Sequence, residues 1–172
     1  HVSVHDHYIR KPKENEYDVN QMQRLIGLYA VNNSQPTIER EILAYLEYWE
    51  KFDKNPFYIN KAKELLVKND FPKLWLKYYY LKEEYEKVTE LTFEYGELDA
   101  WQNFMMGESY ARTNKLSQAL FYTKNAYKIE PTNSLFGVQL LKRYVDNESL
   151  NEGEKLGTKL LGNFNENAQI LN

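Results

Sequence analysis

Apolar residues recur along most of this chain at i, i+3, i+4 and i+7, the spacing that gathers them on one face of a helix. Asp18 is a helix N-cap residue ahead of Met22, Leu25, Ile26 and Tyr29, and the turn-rich Asn32-Asn33-Ser34-Gln35-Pro36 ends that segment. Pro36 and Glu39 then open a helix over 37–52, with Ile38, Ile42, Tyr45, Leu46 and Trp49 as its stripe. After the turn Asp53-Lys54-Asn55-Pro56, the pattern predicts a helix from Tyr58 to Lys68, stopped by Asn69-Asp70. Pro72 starts the next, which carries Leu74, Trp75, Tyr78, Tyr79 and Leu81. A further helix over 85–95 carries Val88, Leu91, Phe93 and Tyr95, with Gly96 as its stop.

The clearest stretch runs from Ala100 to Pro131 and reads as two amphipathic helices back to back. Met106, Gly107, Tyr110 and Ala111 share a face of the first. Leu116, Ala119, Leu120, Ala126, Tyr127 and Ile129 mark the second, which Pro131 stops. The small residues Gly107, Ala119 and Ala126 fall where two helix backbones would approach most closely. Beyond Pro131, 134–146 repeats the first pattern through Leu140, Leu141 and Tyr144, and 150–163 the second. Glycine inside a helix costs about 1 kcal/mol relative to alanine, so Gly153 and Gly157 predict close backbone contact there. The tail from Phe164 is expected to fray. No segment alternates with period two long enough to make a strand. The fold class is all-α.

The stretch 100–131 resembles the tetratricopeptide repeat, whose period is about 34 residues. Gly107, Tyr110, Ala119, Ala126 and Pro131 match its signature, and Met106 replaces its leucine. Asn103 and Thr123 stand where that family has Trp and Phe, so those large packing residues are missing or displaced to Trp101 and Tyr122. Tyr144 lies 34 residues beyond Tyr110, and Tyr79 lies 31 before it. The resemblance implies a right-handed superhelix of antiparallel helix pairs, a tetratricopeptide-like α-solenoid over 18–172 with its best-defined repeat at 100–133. First helices line the concave surface of such an array. Trp101, Phe104, Glu108, Ala111 and Arg112 would then face a partner-binding groove, with Lys73, Lys77 and Tyr80 before them and Leu135, Val138 and Lys142 after. These side chains could equally pack between helices. Chaperone-binding members hold a terminal carboxylate with Lys and Asn; Phe104 and Glu108 stand in those places here, and Glu108 would repel that ligand.

Composition narrows the functional classes. The 172 residues are 42% hydrophobic and 27% charged, as in a globular chain. The net charge of −3, with both signs interspersed, argues against a nucleic-acid partner. Fifteen Tyr, eight Phe and three Trp supply rings suited to helix packing and to binding grooves. Without Cys there is no thiol catalysis and no thiolate metal site. No apolar run reaches the roughly 20 residues that span a bilayer. No GxSxG, P-loop or HExxH occurs, and acidic pairs such as Glu83-Glu84 read as solvated faces. The expectation is a non-catalytic protein–protein interaction module with a protein or peptide partner.

Residues 1–17 lack a helical period and read as an extended arm, and they hold all three histidines: His1, His5 and His7. Starting at His1 without an initiator Met, the chain reads as a segment of a longer protein. The arm is open to three readings: a solvated tail, an adventitious metal site on alternate residues, or a haem-linked segment. The last rests on His1–Pro12, which resembles the stretch after the final haem motifs of multihaem c-type cytochromes fused to tetratricopeptide arrays. That resemblance implies His5 or His7 as axial ligands, with haem c in the parent protein and no cofactor in this segment. It gives an alternative function: the C-terminal repeat portion of a periplasmic electron-transfer cytochrome.

Overall fold

The computed structural model describes residues 37–170, and all regular structure among them is helical. The arm at 1–17 and the expected helix at 18–32 lie outside the described residues. Eight helices follow in order: α1 Thr37–Lys51, α2 Pro56–Lys68, α3 Pro72–Leu81, α4 Tyr85–Glu90, α5 Ala100–Arg112, α6 Leu116–Ile129, α7 Ser134–Asp146 and α8 Leu150–Ile170. The chain divides into two compact units between Lys82 and Glu83.

In the first unit α1, α2 and α3 pack on one another. Ile42 and Leu46 meet Ile59, Ala62 and Leu66, with Leu74 and Tyr78 closing the core. A second cluster joins Ala44, Tyr48 and Tyr58, the two tyrosine rings 4.6 Å apart. The α2 start follows from local chemistry. The Asn55 side chain accepts the Phe57 N–H at 3.0 Å, and Pro56 occupies a first-turn position where its missing N–H costs nothing.

In the second unit each helix packs on the next along the chain. Asp99 and Gln102 form a reciprocal cap at the start of α5: Asp99 Oδ1 accepts the Gln102 N–H at 2.7 Å, and Gln102 Oε1 accepts the Asp99 N–H at 2.9 Å. Helices α5 and α6 run antiparallel, since Ala100 at the start of one clusters with Ala126 near the end of the other. Ala119 and Ala126 are fully buried. A Cβ on Gly107 would lie 2.6 Å from Thr123 Oγ1 and 3.3 Å from the Ala119 carbonyl oxygen, so this is the point of closest approach.

The turns after α5 and α7 are the same structure 34 residues apart. Lys115 and Asn114 donate their N–H groups to the carbonyls of Tyr110 and Ala111, at 2.8 and 3.1 Å. Ser149 and Glu148 donate likewise to Tyr144 and Val145, at 2.8 and 3.0 Å. This pair of bonds is the Schellman motif, with its left-handed residue at Asn114 (φ 58°) and Glu148 (φ 57°). Asn tolerates that conformation, whereas Glu is strained there. Glu148→Gly is therefore expected to raise stability by about 0.5–1 kcal/mol, read as a higher thermal midpoint; an unchanged or lower midpoint would show the turn to be unstrained.

Four expectations are corrected. The helix predicted over 85–95 ends at Glu90, because Leu91 turns extended and its N–H bonds back to Val88. Gly96 (φ 82°) instead serves a turn in the following loop, where Glu97 accepts the Glu94 N–H at 2.9 Å. Gly153 and Gly157 are not points of forced contact: a Cβ at either would meet only Tyr144 and Leu141 side-chain atoms, 3.5 Å away or more. Finally, α8 continues through the tail to Ile170, since no Pro follows Leu150 to break it.

Candidate functional site

Two features of the second unit lie on opposite sides of α7. At about 100° per residue, Leu135, Val138 and Lys142 share one face of this helix, and Leu140 and Tyr144 share the other. Phe136, on the buried side of α7, meets α5. Trp101 packs edge-on against Phe104 and Phe136, with ring centroids 5.7 and 4.9 Å away, and Phe104 lies 5.4 Å from Phe136. Phe136 is fully buried, while Trp101, Leu135 and Val138 remain 49%, 40% and 57% exposed. Trp101 is therefore an exposed ring on a rigid aromatic base, and Lys142 is exposed on α7.

Charge fixes the other end of this face. Glu108 Oε2 accepts a 2.7 Å bond from Arg143 Nη2, and Glu108 Oε1 accepts a 3.1 Å bond from Arg112 Nε. Arg143 also reaches Asp146 Oδ2 at 3.3 Å and Gln139 Oε1 at 3.4 Å, while its Nε is buried without a partner. The Arg143 side chain is 3% exposed, so this network ties α5 to α7 in a sheltered setting. Hydrogen bonding and the Glu108 charge raise the Arg112 pKa and keep its guanidinium charged. The repulsion expected of Glu108 toward a ligand carboxylate is offset by these two cations.

Of the remaining expected groove residues, Lys73, Lys77 and Tyr80 belong to the first unit. Lys73 and Tyr80 are half-buried on α3. Lys77 bridges α3 to α1, its ammonium 3.5 Å from Glu47 and 3.4 Å from Glu50. His5 and His7 lie outside the described residues, so no ligand geometry is assigned to them. Ala111 is half-buried.

The second feature is a groove of about 700 Å³ along α6, α7 and α8. Leu120, Leu140 and Leu156 form an apolar floor with Tyr127 and Tyr144, and Lys124 and Lys128 stand at its edge. Burial, and then the nearby Glu152 charge, raise the Tyr144 pKa, so the phenol stays neutral. A hollow of about 300 Å³ beside Asn103 shares Tyr95, Asn125 and Lys128 with this groove. Asn103 lines that hollow, its buried amide donating to the Leu98 and Asp99 carbonyls at 3.1 and 2.9 Å, and Trp101 stays half-exposed on another face of α5.

Sequence reasoning missed Arg143 and this groove. Arg143 had a signal, since it sits at i+7 of the stripe Phe136, Leu140, Arg143, where a charge requires a buried partner. Compared with known proteins, the chain matches no family model, no curated protein and no solved structure. Among the described residues, no helix is long and apolar enough to cross a membrane.

Proposed function

We propose that the chain is a non-catalytic protein-interaction module, a short tetratricopeptide-like array whose antiparallel helix pairs stack into a right-handed superhelix. Its second unit binds a peptide or protein partner on the α5–α7 face. The observation that carries this reading is the exposure of Trp101, held against the buried Phe136, together with that of Leu135 and Val138. A large ring held by neighbouring rings gives contact area without the entropy of ordering it, the property of a binding hot spot. Arg112 and Lys142 lie beside it as exposed cations. The repeat reading is supported by the identical turns at Asn114 and Glu148 and by neighbour-on-neighbour packing. The cytochrome alternative rests on the resemblance of His1–Pro12, which lies outside the described residues, and gains no support from the helices.

Selection from a random peptide display library against the full chain tests this. Peptides enriched on the wild type are expected to lose about tenfold or more in affinity for Trp101→Ala and Val138→Glu, a loss of at least about 1.4 kcal/mol. Both positions are exposed, so folding should survive, as circular dichroism would check. Undiminished binding to both folded variants removes the face from the proposal.

A further inference from the structure

We propose that the groove along α6, α7 and α8 is a second docking site, and that its occupant is an acidic amphipathic helix of a protein partner. Shape and charge on this side of the unit agree. The floor of Leu120, Leu140 and Leu156 is apolar and about 700 Å³ is open above it, the form of surface into which a helix lays residues at i, i+3, i+4 and i+7. Phe121 and Tyr95 stand at the mouth, 48% and 79% exposed, as ready contacts for such a helix.

The rim is basic although the chain as a whole carries −3. Lys124 and Lys128 border the groove, with Glu152 as the one acid in its lining. Lys124 lies over the Tyr144 ring at 6.0 Å, above an aromatic wall of the groove, and Lys159 lies over the Tyr127 ring at 5.8 Å. None of these three lysines is ion-paired with a described residue. In the same unit Arg112 and Arg143 pair with Glu108. Unpaired positive charge around an apolar floor selects a ligand with apolar anchors and flanking carboxylates. Because Leu140 and Tyr144 lie across α7 from Val138, this site is independent of the α5–α7 face.

The test uses the full chain and a fluorescein-labelled synthetic helical peptide with leucines at i, i+3, i+4 and i+7 and glutamates on its flanks. A lysine-for-glutamate counterpart and phosphatidylserine vesicles are the comparison ligands. Saturable binding of the acidic peptide is expected, weakening as salt rises. Lys124→Glu with Lys128→Glu should weaken it about tenfold or more, and Phe121→Glu comparably, while Trp101→Ala leaves it unchanged. Equal binding of the basic peptide, full affinity in the folded Lys124/Lys128 variant, loss on Trp101→Ala, or binding to the vesicles alone would each overturn the proposal.

Discussion

Gly107→Ala is expected to destabilise the second unit by about 2–3 kcal/mol, although alanine is the better helix former. Helix propensity alone would favour the substitution by about 1 kcal/mol, so the two effects predict opposite signs. Packing decides between them. The new methyl would stand 2.6 Å from Thr123 Oγ1, 3.1 Å from the Thr123 backbone nitrogen and 3.3 Å from the Ala119 carbonyl oxygen. Two of those three atoms belong to the α6 backbone, which yields only if the helices separate. The third is held by its own 2.8 Å hydrogen bond to Ala119. For a unit of this size the loss corresponds to a thermal midpoint lower by about 4–8 °C per kcal/mol. Thr123→Ala removes the shortest overlap but leaves the backbone ones, so the double variant should recover part of the loss, with a coupling of about 1 kcal/mol. A stabilised Gly107→Ala protein would mean that α5 and α6 are not in close contact here.

Gly107 was legible because a glycine midway along an apolar stripe faces Ala119, and small residues on both sides of a hairpin let the two backbones close on each other. The same argument failed at Gly153 and Gly157, where the facing side chains of Leu141 and Tyr144 keep the backbones apart. The helix at 134–146 was readable to the residue, helped by the Asn133 side chain accepting the Leu135 N–H at 3.1 Å. The helix at Tyr85 was read too long, since Leu91, Phe93 and Tyr95 carry helical spacing without helical continuity. Periodicity reports the faces of a segment and not the end of its hydrogen bonding. For the candidate site, Trp101, Leu135 and Val138 were identifiable as exposed only by analogy, and spacing could not separate them from core. Charge partners 35 residues apart were hidden in the same way. Glu108 was seen as a free carboxylate because Arg143 becomes its neighbour only once α7 packs beside α5.

Arg143→Met is expected to cost about 3–5 kcal/mol, the largest loss for a single side chain in the second unit. The Arg143 side chain is 3% exposed and Glu108 is 16% exposed, so removing the arginine leaves a sheltered carboxylate with Arg112 alone, itself 61% exposed. Lysine would not restore it, because a point charge cannot reach Glu108, Asp146 and Gln139 together as the forked guanidinium does. Removing both partners should behave differently. Glu108→Met with Arg143→Met eliminates the desolvation cost as well as the attraction, and is expected within about 1 kcal/mol of wild type or more stable. Urea unfolding followed by Trp101 fluorescence in a Trp49→Phe/Trp75→Phe background isolates the second unit, since the other two tryptophans lie in the first. A loss in the double variant equal to the sum of the losses in Glu108→Met and Arg143→Met would show that the pair has no special coupling. The double variant also separates stability from function. The Glu108–Arg143 bond joins α5, which carries Trp101, to α7, which carries Leu135 and Val138. A folded double variant that binds α5–α7 peptides more weakly than wild type would assign the pair to specificity; one that binds them equally well would confine it to folding.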